Sequence, residues 1–219
     1  VWLYRRAGIT KDSGTNLILH TIHTDQRAPL RMAPLIFIAT ALTHLCGGSS
    51  GREGAALQIG GSLGTFLGKL LRLNDKDMHI ITMCGMSAVF SALFGTPLTA
   101  AIFSMEVVSV GVIYYSALIP CLVSSLIAYS LSIFCGITPT SFVLDVIPSF
   151  SFLSALQVSG LAILCALVSI LFCIAMHQSH HWYQKLFHNP YIRVVVGALL
   201  IIGLSFVAGS FDYNGAGGE

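Results

Sequence analysis

Residues Gly47-Gly48-Ser49-Ser50-Gly51-Arg52-Glu53-Gly54-Ala55 set an arginine and a glutamate inside a glycine-rich break in otherwise apolar sequence. Charge is expensive at membrane depth, so an ionisable residue there points to work rather than packing. The glycines let the backbone take shapes other residues resist and let a ligand come close. The following run, Ala55 to Gly64, is rich in small residues and reads as a helix. A helix starting at such a break aims its unpaired N–H groups and the positive end of its dipole at the space in front. That space attracts an anion, and Glu53 stands where its carboxylate competes for it. Ionised, such a carboxylate repels or replaces the anion; protonated, it lets go.

Other residue patterns suggest other chemistries. Gly47-Gly48-Ser49-Ser50-Gly51 matches G-x-S-x-G, and Gly48–Gly51 matches the G-x-S-G of intramembrane serine proteases. Ser49 or Ser50 would then be the nucleophile, with His44 or the His177 cluster as its base. G-x-S-x-G carries its mechanism only on a strand-to-helix elbow, and nothing around it reads as a strand. A phosphate-binding loop is excluded, because no Gly-Lys-Ser/Thr follows. His177, His180, His181 and His188 stand beside Trp182 and Tyr183 after a long apolar segment, which reads as an interfacial belt rather than a metal site. His20, His23 and Asp25 likewise call for no metal. Glu106 closes a short apolar run, either as a proton relay or as a charge facing a water-filled vestibule. Asp12-Ser13-Gly14 offers a hydroxyl to an anion or a plain helix cap.

Of the 219 residues, 55% are hydrophobic and 9% charged, with a mean hydropathy of +0.81. Soluble domains carry roughly 25% charged residues, so this composition belongs to a membrane-embedded chain. From Lys76 to Lys185 no other Lys or Arg occurs, and Asp77, Glu106 and Asp145 are the only acids. A net charge of +2 gives no footing for nucleic acid. The six cysteines lie in apolar stretches without a CxxC pair and read as buried free thiols with no disulfide framework. The chain opens on Val1 without a signal-peptide pattern and closes on Asn214–Glu219, so both ends read as cut.

The elements that must position these residues are short and broken. Ala33–Cys46 is interrupted by Thr40, Thr43 and His44; Gly54–Leu71 is glycine-rich; Met78–Leu93 is parted by Gly95-Thr96-Pro97 from Leu98–Val108. Val112–Cys135 is long enough to span despite Pro120, Phe150–Met176 is longer than a span needs, and Ile192–Ala208 is a further span. Irregular backbone survives at membrane depth only where it lines a cavity or is buried in protein. Discontinuous helices with N-termini near the midplane are how several transporters build substrate sites.

Gly51-Arg52-Glu53-Gly54 followed by Gln58-Ile59-Gly60-Gly61 resembles the signature helix start of the CLC chloride channels and transporters. Gly85-Met86-Ser87-Ala88-Val89-Phe90-Ser91-Ala92-Leu93-Phe94-Gly95-Thr96-Pro97-Leu98, then Ala101-Ile102-Phe103-Ser104-Met105-Glu106, is similar to that family's next helix pair. The resemblance is carried by motifs from about Asp12 to Glu106 and by segment pattern to Glu219. It implies an all-α membrane protein of broken and tilted helices, with residues 1–219 a partial transmembrane domain. That domain would hold roughly the first half of an inverted-repeat subunit and the start of the second. It implies passive or proton-coupled transport of a small inorganic anion, chloride before fluoride, through a pore in each subunit of a homodimer, in a multi-pass protein of the cell membrane. The resemblance makes Glu53 the gate and proton carrier; Glu106, one position before the family's second glutamate, stays a candidate second proton site on the residues alone. Ser13, Gly14, Gly51, Arg52, Gly54 and Ala55 then line the anion site. Its partners are chloride or fluoride, protons and the bilayer; no cofactor, enzymatic activity or nucleic acid is implied.

The departures point toward fluoride. Ala55 replaces the proline usual after the motif in chloride members, and Asp12-Ser13-Gly14-Thr15-Asn16 replaces Gly-Ser-Gly-Ile-Pro. Gly14-Thr15-Asn16-Leu17-Ile18 and Gly95-Thr96-Pro97 look more like the fluoride-transporting branch. Val107 stands where proton-coupled chloride exchangers often carry a second glutamate. A non-conducting assembly subunit and an intramembrane serine protease are the alternatives from other classes.

Overall fold

Every regular element in the described part of this computed structural model is an α-helix, and the reason lies in solvent. In hydrocarbon no water satisfies a free N–H or C=O, so an isolated spanning segment must close its hydrogen bonds within itself. The structure describes residues 4, 6, 29–108, 114–139, 151–209 and 214–215. Ser13, Gly14 and their neighbours Asp12, Thr15 and Asn16, with His20, His23, Asp25 and Asp145, lie outside the described residues. In chain order the helices are α1 (Met32–Leu45), α2 (Glu53–Leu70), α3 (Asp75–Phe94), α4 (Pro97–Glu106), α5 (Tyr115–Phe134), α6 (Phe152–Leu186) and α7 (Pro190–Ala208). Four of them, α3, α5, α6 and α7, are long and apolar enough to cross a bilayer. The chain is thus an integral, multi-pass membrane protein.

The chain divides into two units, residues 1–141 with 205–219, and residues 142–204. In the first, α2 lies on α3 through glycines. A Cβ on Gly60 would meet the Gly85 carbonyl, one on Gly64 the Ile81 carbonyl, and one on Gly85 the Gly60 carbonyl. Small residues four apart let two helix backbones approach this closely. Across the same contact the Thr65 and Thr82 hydroxyls lie 3.1 Å apart. The α3–α5 contact is polar instead. Ser87 donates to the Cys121 carbonyl (3.1 Å), Ser91 to that of Ser125 (2.8 Å), and Ser124 back to that of Cys84 (3.0 Å). From the Ser87–Cys121 bond to the Ser91–Ser125 bond both residue numbers rise by four, so α3 and α5 run parallel. Leu57, Met83, Met86, Ala101, Met105, Val108, Ala117 and Cys121 form the buried apolar core that α2, α3, α4 and α5 share.

The second unit holds α6 and most of α7. Tyr183 in α6 donates from its hydroxyl to the Arg193 carbonyl of α7 (2.8 Å) and stacks edge-on with Phe187 (5.3 Å between centroids).

Among the expected boundaries that move are the start of α3 and the end of α6. The third helix starts at Asp75 rather than Met78, because the Asn74 side chain caps it: Oδ1 accepts from the Asp77 N–H (2.9 Å) and Nδ2 donates to Asp77 Oδ2 (2.8 Å). The sixth runs ten residues past Met176, to Leu186, through the histidine-rich stretch. The cysteine expectation is also corrected. Cys121 alone is buried and Cys84 is half-buried, while Cys46, Cys135, Cys165 and Cys173 are exposed. Apolar side chains on a membrane helix face lipid as readily as protein, so hydropathy does not sort them.

Candidate functional site

The break before α2 is built by the end of α1. The Gly47 N–H donates to the His44 carbonyl (3.0 Å) and the Gly48 N–H to that of Thr43 (2.8 Å). These two bonds are the Schellman closure, which needs a left-handed residue after the cap; Gly47 supplies it with φ +73°. The chain therefore leaves α1 sharply.

Two further bonds fix the loop that follows. His44 Nε2 lies 2.8 Å from the Ser50 carbonyl oxygen, which can only accept, so this ring nitrogen carries a proton and donates. The Ser50 N–H in turn donates to the Gly215 carbonyl (3.0 Å), tying the loop to the far end of the chain. His44 thus faces a serine carbonyl; the Ser50 hydroxyl points elsewhere, to the Gly51 carbonyl at 3.5 Å. A nucleophile–base pair would need the opposite arrangement.

Beyond this anchored loop, α2 opens without a side-chain cap. Arg52 occupies the cap position with helical torsions and makes no capping hydrogen bond. The first intrahelical bond runs from the Ala56 N–H to the Arg52 carbonyl (2.9 Å). The N–H groups of Glu53, Gly54 and Ala55 precede it and have no partner within the helix. In α3 and α6, by contrast, Asn74 and Ser151 side chains accept from the first turn. The α2 start keeps its donors and its positive dipole end for another acceptor.

Glu53 is the first residue of α2 and is exposed, as are Gly51 and Arg52. Its side chain turns back toward the loop: a Cβ built on Gly51 would stand 2.5 Å from Glu53 Oε2. Among the described residues no ion pair joins Arg52 to Glu53. Gly54 and Ala55 are half-buried and Leu57 is buried, so one turn carries the helix from the surface into the core. Five of the expected residues, Gly51, Arg52, Glu53, Gly54 and Ala55, are thereby gathered at one helix start. Glu106 is the exposed last residue of α4, directly after Met105, which shares the core with Leu57.

The sequence reading missed the loop anchor at His44 and Gly215, and it missed a polar face on α2. Gln58, Ser62 and Thr65 are all buried, at helical spacing on one side, and the Ser62 hydroxyl is a buried oxygen without a partner. The i, i+4, i+7 spacing was a legible signal for that face.

Comparison with known proteins bears on this site. The family model described as voltage gated chloride channel matches residues 1–217. The "Chloride/fluoride channel protein" of Pseudomonas syringae pv. tomato is 36% identical over 211 residues, which is 96% of this chain and 47% of that protein. The "H(+)/Cl(-) exchange transporter ClcA" of Citrobacter koseri is 34% identical over 77 residues, 35% of this chain and 16% of that one. A crystal structure of a CLC-type fluoride/proton antiporter superposes with a TM-score of 0.90 at 30% identity, over 98% of this chain and 54% of that chain. The chain spans about half the length of these two more fully matched proteins.

Proposed function

The chain belongs to the voltage gated chloride channel family, and on that premise we propose that it forms part of a transporter moving a small halide across the cell membrane. The observation that carries the reading is the uncapped start of α2, where three N–H groups have no partner within the helix and the Glu53 side chain belongs to the same turn. A dehydrated halide needs hydrogen-bond donors in place of water. Backbone N–H groups at a helix start supply them without a full positive charge, so binding stays weak enough for release. Glu53 acts as the shutter. Ionised, it takes the anion's place; protonated, it withdraws, and each cycle can carry a proton with it. Gly51 leaves room for that side chain to turn back, and Gly54 and Ala55 offer their N–H groups. Ser13 and Gly14 complete the anion path in this reading, Glu106 serves as a second proton site, and two copies of the whole protein pair as a homodimer with one pore each.

Fluoride stands ahead of chloride as the cargo. Support comes from the fluoride named in the descriptions of both the Pseudomonas syringae relative and the antiporter structure. Ala55 after the Gly-Arg-Glu-Gly motif agrees with them. Chloride is the second reading, favoured by the match to the Citrobacter koseri exchanger.

The test is reconstitution of the whole protein in liposomes, with a halide electrode and an internal pH probe, under fluoride or chloride gradients. The native protein is expected to move fluoride and protons in opposite directions. Glu53→Gln is expected to keep a halide leak and lose proton movement. Unchanged proton movement in Glu53→Gln refutes Glu53 as the carrier, and faster chloride than fluoride flux in the native protein reverses the order of cargo.

A further inference from the structure

The α6–α7 hairpin carries a surface that the transport reading leaves unused. From Val146 to Phe211 the sequence contains no Asp or Glu, while Lys185, Arg193 and four histidines (His177, His180, His181, His188) crowd around the turn. Helix α6 is 35 residues long, about 52 Å at helical rise. Its apolar part ends at Met176, after 25 residues, or about 37 Å, which already exceeds a hydrocarbon core of about 30 Å. The ten residues His177–Leu186 therefore continue the helix into the headgroup layer. The exposed Trp182 and the half-buried Tyr183 sit in this stretch, and the exposed Tyr191 follows at the start of α7, amphipathic rings that favour such a layer.

The turn itself is fixed. Tyr183 donates to the Arg193 carbonyl (2.8 Å), the Asn189 side chain accepts from the Tyr191 N–H (3.0 Å), and a Cβ on Gly197 would stand 3.3 Å from the Tyr183 hydroxyl. These contacts join the end of α6, two residues before Lys185, to the first turn of α7 at Arg193, so both cations lie at one corner. Lys185 is exposed; Arg193 is half-buried, and its Nε is a buried donor with no partner. A buried guanidinium donor left open is costly, and a phosphate is the acceptor whose geometry matches a guanidinium fork.

We propose that this corner is a docking site for anionic phospholipid, the phosphodiester headgroup bound between Lys185 and Arg193 with the aromatic side chains beside its glycerol region. Membrane lipid is the occupant because the site begins where the apolar helix leaves the hydrocarbon, and because no acid within the segment competes with an anionic headgroup.

The test reads the tryptophan emission that is lost in Trp182→Phe, using the whole protein reconstituted in phosphatidylcholine. Brominated-chain phosphatidylglycerol or brominated-chain phosphatidylcholine is added at equal mole fraction. The native protein is expected to be quenched more by the brominated anionic lipid, with a local enrichment of about fivefold per cation. Lys185→Gln is expected to reduce that preference, and Lys185→Gln with Arg193→Gln to abolish it. Retained quenching by brominated phosphatidylcholine certifies that the variants are inserted. If Arg193→Gln impairs folding, Lys185→Gln alone still decides. Equal quenching by the two lipids in the native protein overturns the proposal, as does a preference that survives both substitutions. Reversal of the preference by soluble glycerol phosphate also overturns it, since free phosphate would then be the ligand.

Discussion

The Glu53 carboxylate folds back over Gly51 so closely that a methyl group at residue 51 would stand 2.5 Å from its Oε2. The glycine is therefore a condition for where the carboxylate rests. Gly51→Ala forces Oε2 to retreat by about 1 Å to reach ordinary van der Waals separation. The obstacle is the tip of one flexible side chain, so stability is expected to change little. The resting place of the carboxylate changes instead. Proton movement in liposomes is expected to fall relative to halide flux, in the direction of Glu53→Gln. A Gly51→Ala protein with native proton-to-halide stoichiometry would show that this resting place has no part in coupling.

His44 holds the loop before α2 through a single bond from its ring to the Ser50 carbonyl, 2.8 Å long. His44→Phe keeps a ring and removes the donor. A loss of about 1 kcal/mol is expected for such a bond, read as a lower midpoint of unfolding in detergent. If the loop positions Glu53, halide flux also changes in His44→Phe, whereas a serine-hydrolase role for His44 would instead abolish fluorophosphonate labelling of Ser49 or Ser50. Labelling of the native protein at either serine is not expected.

Much of this was legible from hydropathy and glycine placement. The break at Gly47–Gly54, Pro97 opening α4, and the mixture of short and spanning helices all follow from residue types along the chain. The hidden parts depend on contacts made at a distance. That His44 bonds a backbone carbonyl six residues on, and that Ser50 reaches Gly215, follows from how the loop folds back. The start of α3 was obscured because Asn74, Asp75 and Asp77 are polar, and a capping pair registers as loop on a hydropathy scale. The end of α6 was obscured for the same reason, because His177–Leu186 is polar yet helical. Of the proposed anion-site residues, the five at the α2 start could be read from one contiguous motif.

The α2–α3 contact supports the site from below, and its glycines separate into two kinds. Gly60, Gly64 and Gly85 have a neighbouring backbone where a Cβ would go, whereas Gly160 and Gly203 have nothing within 4 Å. Gly64→Leu is expected to cost about 1–3 kcal/mol or more, because neither backbone can yield as a side chain can. Gly160→Ala is expected to be neutral or to gain about 0.5–1 kcal/mol through its better helix propensity. Thermal unfolding in one detergent compares the two directly. Equal midpoints for Gly64→Leu and Gly160→Ala would mean that α2 and α3 do not meet as described.

Arg72 ends α2 in a conformation that an arginine adopts at a cost. The Arg72 N–H donates to the Lys69 carbonyl (3.1 Å) and the Leu73 N–H to that of Gly68 (3.0 Å), the same closure seen at Gly47. Here the left-handed position, φ 52°, is filled by a residue with a Cβ. That strain is about 1–2 kcal/mol, and Arg72→Gly removes it while leaving both closing bonds intact. Glycine also gains freedom in the unfolded chain, which offsets part of the relief. The net expectation is a stabilisation of about 1 kcal/mol, measured as a raised unfolding midpoint at unchanged halide flux. A lowered midpoint would mean that the Arg72 side chain contributes more to stability than its backbone strain removes.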